Sequence, residues 1–479
     1  MFHPEFGGDG HVADVEKLFS PMCKTIENQL NVFNKFYQDS MKIFEESLPP
    51  TIKQNMYDIG NIFDPLQSLQ IMQGYEEACK KFLHMGNSIF KECYLPNIQQ
   101  AEEKLKDSSI DDVLTNNSLK GLNIIKKNSE FIDHYTRETP KMDYNVPVET
   151  VWENKHLNLL LAHKPDGKTP TNNPVVIYNP QAGHGDKLAF FNSKEKPCKQ
   201  QSIAHAALLS GLGPVLVTSW KAPHKEIMQD GLEDYIQTQH QISQFVKKHY
   251  EKPPHAIPLC QQGYMVLMNA SKNPDDYNTI VRAGSPFDMH AGPYKDIRKV
   301  AAETPMENFE KMVEKNGGVM PGKNMVMLFN FKDLYGRTIG SNINMYNKVL
   351  DPDEDFDPER QLTMKSWFER DLLDIVGTYY LDLVRLFKYN SHITGDFDFS
   401  NYIGPLGEVT GGRDWITPWQ QSVASFDYIG TPKDKIMHWH RENAGHIGVF
   451  TKEPMITGSD GQVSWMNDIF PWIIENSRY

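Results

Sequence analysis

Cysteine is scarce in this chain of 479 residues. The five present, at positions 23, 79, 93, 198 and 260, form no CxxC pair and no spacing that suits a metal. An odd, scattered set in a chain of this size excludes a disulfide framework and fits a reducing, cytoplasmic compartment. Positive charge is in deficit as well, with 49 Lys and Arg against 62 Asp and Glu, a formal net charge of −13. That balance argues against nucleic acid or an anionic membrane as the main partner. Long apolar runs are missing. The most apolar window, 204–220, is broken by Ser210, Gly211, Gly213 and Pro214, too short and too interrupted to cross a bilayer. The opening residues, Met1 to Phe6, lack a basic stretch followed by an apolar one, so no signal peptide is expected. The length suits one large domain with an accessory region, and a soluble protein is expected.

What is present changes character along the chain. From Asp14 to Leu48, apolar residues at 15, 18, 19, 22, 26, 30, 33, 37, 41, 44 and 48 recur at steps of three and four, which predicts an amphipathic helix. A second helix is expected over 65–94, with weaker ones to about His134. No strand pattern precedes Val146, so residues 1–142 read as a helical N-terminal region. Its stripe could pack on the body of the protein, on a second copy or on an apolar surface. From Val146 the period shortens. A hairpin is expected over Val146–Trp152 and His156–Ala162. Strands follow at 175–178, 215–220, 256–260, 279–283, 402–409 and 435–440, most separated by helical stretches such as 232–249. Strands alternating with helices predict a mostly parallel sheet covered on both faces, with antiparallel strands at the front. The eight strands match an α/β-hydrolase core, expected over 143–479.

The pattern breaks between Gly284 and Tyr402. This stretch is rich in methionine and carries an acidic run, 351–359, interrupted by Pro352 and Pro358. The run reads as a solvated loop, since calcium sites need another spacing. A helix is expected from a capping box at Ser366 and Glu369 through Phe387. The stretch 287–400 is read as a cap over the C-terminal edge of the sheet.

Chemistry is expected around Leu259-Cys260-Gln261. An apolar run ends at the cysteine and a helix-compatible run begins at once. Strand, sharp turn and helix with a nucleophile at the apex is how this fold exposes an attacking atom, and the helix N-terminus favours a thiolate there. The plain alternative is a small buried hydrophobe. Downstream, Asp414 follows the seventh strand in a Gly411-Gly412 turn, and His446 follows the eighth in a loop between Gly445 and Gly448. Either residue alone would be turn or surface chemistry. Nucleophile, acid and histidine in that order at the strand ends predict a Cys260, Asp414, His446 triad. The small-residue loop after the third strand, with Ala182 and Gly183, would give one oxyanion-hole amide and Gln261 the other. No metal set is apparent.

The same residues carry a family resemblance. Tyr178-Asn179-Pro180 with Ala182-Gly183-His184-Gly185, Leu259-Cys260-Gln261, Asp414-Trp415-Ile416-Thr417-Pro418 and Gly445-His446-Ile447-Gly448-Val449-Phe450 resemble the polyhydroxyalkanoate synthase and intracellular polyhydroxybutyrate depolymerase superfamily, with its synthetase-like sister group. Val217-Thr218-Ser219-Trp220 and Tyr379–Arg385 are similar to depolymerase segments. The resemblance spans about 175–472. Pro258 and Gln262 stand where synthases carry glycine, and Gly263 follows one residue later. The 445–450 motif is more similar to the depolymerase and sister branches, the Pro418-Trp419 pair to synthases. The resemblance implies a hydrolase of hydroxyacyl polyesters, without a cofactor. Its alternatives are a synthase taking hydroxyacyl groups from coenzyme A thioesters, or a non-catalytic protein bound to polyester granules. A granule surface and a homo-oligomer are compatible partners.

Overall fold

The valine- and isoleucine-rich runs become the strands of one sheet in a computed structural model that describes residues 144–164, 173–185, 187–191, 202–292, 304–325 and 372–478, with scattered positions between 81 and 133. The chain divides into two compact units, residues 1–138 with 343–356 and residues 139–342 with 357–479. In the first, the described positions from Lys81 to Glu103 are helical, within and beyond the second expected helix. There Asn87 donates to the Ser129 carbonyl and to Asp133. The helix expected over 14–48 and the acidic run 351–359 lie outside the described residues. No helix among the described residues is long and apolar enough to cross a membrane.

The second unit holds an eight-stranded sheet. Its strands are β1 (Val148–Glu153), β2 (Leu157–Ala162), β3 (Val175–Tyr178), β4 (Val215–Trp220), β5 (His255–Pro258), β6 (Ile280–Ala283), β9 (Leu406–Gly411) and β10 (Ile436–Arg441). A separate two-stranded pair joins β7 (Val319–Met320) to β8 (Ile375–Val376). The order is β1-β2-β4-β3-β5-β6-β9-β10. Strand β2 is antiparallel to both neighbours, and the rest of the sheet is parallel. That order and that single reversal are those of the α/β-hydrolase fold. Every residue of β3, β5 and β6 is buried, as strands covered on both faces require. Alternate residues, Val175, Ile177, Val215, Val217, Ile257, Leu259, Val281, Ala283 and Val409, join one core with Phe450, Trp465 and Phe470. On the same strands, Arg282 of β6 and Glu408 of β9 have the other parity. They pair with no solvent exposure.

Helices fill the connections. Helix α1 (Ile203–Leu209) starts at Ser202, whose hydroxyl accepts from the His205 amide. Helix α2 (Leu232–Tyr250) buries Tyr235, Ile236, Gln239, Ile242, Ser243 and Val246, a stripe at helical spacing. Helix α3 (Gln262–Lys272) follows β5. In the stretch between β6 and β9 lie α4 (Met306–Lys315) and α5 (Gly377–Tyr389).

Most strand ends fall within two residues of those expected, and three boundaries differ for an identifiable physical reason. The seventh expected strand, β9, begins at Leu406 rather than Tyr402, because Phe399–Asn401 forms a 3-10 turn and Pro405 lacks an amide to donate. The fifth strand ends at Pro258. Amides at 256 and 260 donate to Thr279 and Ala283 on the β6 side. Position 258 shares their side by parity, so proline leaves that rung empty, and pairing resumes at Leu259↔Ala283. The helix expected from Ser366 begins, within the described residues, at Gly377. Ile375 and Val376 are taken into β8 instead. A side chain at 377 would meet the Gly318 carbonyl at 2.5 Å, so glycine permits the close approach that ends the pair and starts the helix.

Candidate active site

Tyr178 and Ala283, on the strands either side of β5, fix the turn that follows it. Leu259 donates to the Tyr178 carbonyl at 3.0 Å, and Cys260 to the Ala283 carbonyl at 2.8 Å. Cys260 has φ of 52°, a left-handed conformation that costs a non-glycine residue about 1 kcal/mol. Bonds on both sides sustain it. The Cys260 carbonyl accepts from the Ser285 hydroxyl at 2.6 Å and from the Gly263 amide at 3.1 Å. A Cβ at 263 would lie 2.3 Å from the Ser285 Cβ. The close approach expected of a glycine before or after the cysteine is thus supplied at 263, one residue beyond the usual place. The elbow forms with Pro258 and Gln262 in the other positions.

Two further turns bring the acid and the imidazole to this point. After β9, Gly412 donates to the Arg441 carbonyl and Arg413 to the Ala444 carbonyl, which ties the Asp414 turn to the turn after β10. Asp414 Oδ1 accepts from the amides of Ile416 and Thr417 at 3.0 and 2.8 Å. Its Oδ2 lies 2.8 Å from His446 Nδ1. His446 Nε2 lies 3.1 Å from Cys260 Sγ. The ring packs edge-on against Phe450, with centroids 5.5 Å apart. Asp414 and His446 are 5% and 7% exposed, so this file of charge is screened from bulk water while the cysteine is only partly buried. Burial alone would push the imidazole below its ordinary value. The interactions with the Asp414 carboxylate and the Cys260 sulfur, with hydrogen bonds to both, outweigh burial and hold it well above. A carboxylate on Nδ1 fixes Nε2 as the nitrogen facing sulfur.

The loop after β3 is anchored by Asn179, which donates to Thr218 and accepts from the Ala189 amide. Ala182 and Gly183 lie in the turn that follows. The Gly183 carbonyl accepts from the Leu373 amide at 2.6 Å. Gln261, buried beside the cysteine, reaches back with Nε2 3.4 Å from Gln181 Oε1. Among the backbone pairings of the described residues none uses the amides of Gln261, Ala182 or Gly183. All six residues expected at the site therefore fall on the turns after β3, β5, β9 and β10. Sequence reasoning missed Gln181, Tyr379 and Leu373, which meet this region. Tyr379 stood in a segment already marked by resemblance, but nothing local assigned it a partner. Among the described residues no group of three or more His, Cys, Asp or Glu is arranged to hold a metal.

Residues 126–311 match a family described as a protein of unknown function, DUF3141. An uncharacterized protein in the ackA 5′ region of Rhizobium meliloti is 21% identical over 365 residues, covering 69% of this chain and 47% of its own length. The chain thus spans about half of that relative. Among solved structures, the Paleococcus ferrophilus monoacylglycerol lipase is 14% identical, covers 64% of this chain and 96% of its own, and has a TM-score of 0.38. The 2-hydroxy-6-oxo-6-phenylhexa-2,4-dienoate hydrolase of Rhodococcus sp. strain RHA1 is 11% identical, with 64% and 95% covered and a TM-score of 0.33. Mouse alpha/beta hydrolase domain-containing protein 10 is 10% identical, with 63% and 90% covered and a TM-score of 0.36.

Proposed function

We propose that the chain is a cysteine-dependent hydrolase of hydroxyacyl esters, with poly(3-hydroxyalkanoate) as its substrate class. The observation that carries this reading is the continuous file Asp414 Oδ2, His446 Nδ1, His446 Nε2, Cys260 Sγ, with steps of 2.8 and 3.1 Å. Cys260 attacks the ester carbonyl, and its proton passes to His446 Nε2. The tetrahedral oxyanion is received by the Gln261 amide and by an amide of the Ala182-Gly183 turn. As it collapses, the C–O bond breaks and His446 returns the proton to the leaving alkoxide. Water then attacks the thioester, giving a proton to His446. The C–S bond breaks, the acid leaves, and the proton returns to sulfur. Asp414 holds the tautomer and stabilises the imidazolium throughout.

The substrate class rests on the motif resemblance, and hydrolysis over synthesis rests on the 445–450 motif. The Pro418-Trp419 pair favours a second reading, in which a chain hydroxyl replaces water and a coenzyme A thioester supplies the acyl group. The test uses the purified full chain on amorphous poly(3-hydroxybutyrate) and on 3-hydroxybutyryl-coenzyme A. Soluble 3-hydroxy acids are expected from the polymer. Loss of turnover is expected in Cys260→Ala and His446→Ala, with the double variant little worse than either. Turnover retained by Cys260→Ala would end the nucleophile assignment. Polymer growth with coenzyme A release, abolished by Cys260→Ala, would move the reading to synthesis.

A further inference from the structure

One stretch of chain, Leu373 to Tyr379, touches both loops that flank Cys260. At its start the Leu373 amide donates to the Gly183 carbonyl. At its end, on the first turn of α5, the Tyr379 hydroxyl lies 3.0 Å from Gln261 Nε2 and 2.8 Å from Met265 Sδ. A phenol has a single proton. Here it goes to the sulfur, so the oxygen accepts from the glutamine amide. The ring is held too, stacked on Tyr235 of α2 with centroids 3.9 Å apart and planes 17° from parallel. Tyr379 is wholly buried, and burial raises its pKa well above the ordinary tyrosine value, so the proton stays.

Gln261 is the residue whose peptide follows the cysteine. Its Oε1 is buried without a hydrogen-bond partner, so polar restraint on the side chain comes through Nε2. That nitrogen has the 3.0 Å bond to Tyr379 and a 3.4 Å contact to Gln181 Oε1. Without the Tyr379 phenol the 3.0 Å bond is lost, and what remains is the longer contact to Gln181 and a hydrogen bond with the neighbouring Tyr264 phenol. The stretch itself is fastened elsewhere. Gly322 donates to Asp374, β8 pairs with β7, Gly377 donates to the Gly318 carbonyl, and Thr378 donates to the Met228 carbonyl.

We propose that Tyr379 is a positioning residue for acyl transfer, acting through the Gln261 side chain to hold the peptide after Cys260 in the orientation that receives the oxyanion. The seated 373–379 stretch is then a requirement for chemistry and not merely a cover. This rests on the oxyanion role given above to the Gln261 amide.

The experiment uses the full chain with p-nitrophenyl butyrate for acyl transfer and iodoacetamide for thiol reactivity. Alkylation is a displacement at saturated carbon and forms no oxyanion. Tyr379→Phe removes the hydroxyl and keeps the ring stack. Loss of one neutral hydrogen bond is expected to lower kcat roughly tenfold, with KM and the alkylation rate of Cys260 changed less than about twofold. In a Gln261→Leu background the same change is expected to cost nothing further, since the two act as one unit. An unchanged kcat in Tyr379→Phe, additive losses in the double variant, or a parallel fall in alkylation and turnover would each overturn the positioning role. A Cys260→Ala control that keeps its turnover would instead bring down the nucleophile assignment on which this role depends.

Discussion

Asp414 commits both carboxylate oxygens, one to the Ile416 and Thr417 amides and one to the imidazole. An amide in its place can offer only one oxygen. If that oxygen stays on the backbone amides, the nitrogen faces His446 Nδ1 and forces the other tautomer, with a proton on the nitrogen that faces Cys260. Asp414→Asn is therefore expected to lower kcat by about 10³-fold or more while leaving the fold intact. A loss of less than about tenfold, with circular dichroism unchanged, would remove Asp414 from the file. These three residues were legible in the sequence because each sits in a turn of its own: a cysteine at a strand-to-helix junction, an aspartate after paired glycines, a histidine between glycines. Tyr379, Gln181 and Leu373 were not legible. Their partners lie 118, 80 and some 190 residues away, and a contact of that kind leaves no local signature.

At the scale of elements, the buried parallel strands were readable since strands covered on both faces become continuous runs of β-branched residues. Within the described residues, the helix expected from Ser366 starts later than its stripe suggests, for the opposite reason. Ile375 and Val376 suit a helical stripe, yet pairing with Val319 and Met320 decides their state, and tertiary contacts override local pattern. The same stretch stabilises a core helix. Asp382 of α5 accepts from the Leu232 amide at 2.9 Å, capping the first turn of α2 from another part of the chain. Asp234 accepts from the Gly231 amide beside it. Asp382→Ala should remove one cap and one tether together, at a cost of about 1 kcal/mol. Urea unfolding measures that loss. Hydrogen exchange should also quicken at the N-terminus of α2 while its C-terminal turns hold. An unchanged midpoint, or faster exchange spread evenly along α2, would show that Asp382 does neither.

The whole molecule buries titratable groups that pull its stability in opposite directions with pH. Burial pushes His255 down to about 3 and His392 down to about 4. In the unfolded chain both take up a proton below about 6.5, so the unfolded state holds more protons and stability falls as pH drops through that window. Glu408 works the other way. Burial raises it to about 7 against the pull of Arg282, so between about 4.5 and 7 the folded state keeps a proton that the unfolded chain has released. Its contribution falls as pH rises through that window. Each group is worth about 1.4 kcal/mol per pH unit where the two states differ. Two histidines outweigh one carboxyl from about 6.5 to 4.5, and below that Glu408 no longer opposes them. The melting temperature is therefore expected to fall gently on acidification from pH 6.5 and more steeply below about pH 4.5. His392→Gln should flatten the fall between pH 6.5 and 4, since a neutral amide in that pocket takes up no proton in either state. Scanning calorimetry of both proteins over this range checks the sign. A wild-type melting temperature that rises on acidification would mean that the buried carboxyl, and not the buried imidazoles, governs the acid limb.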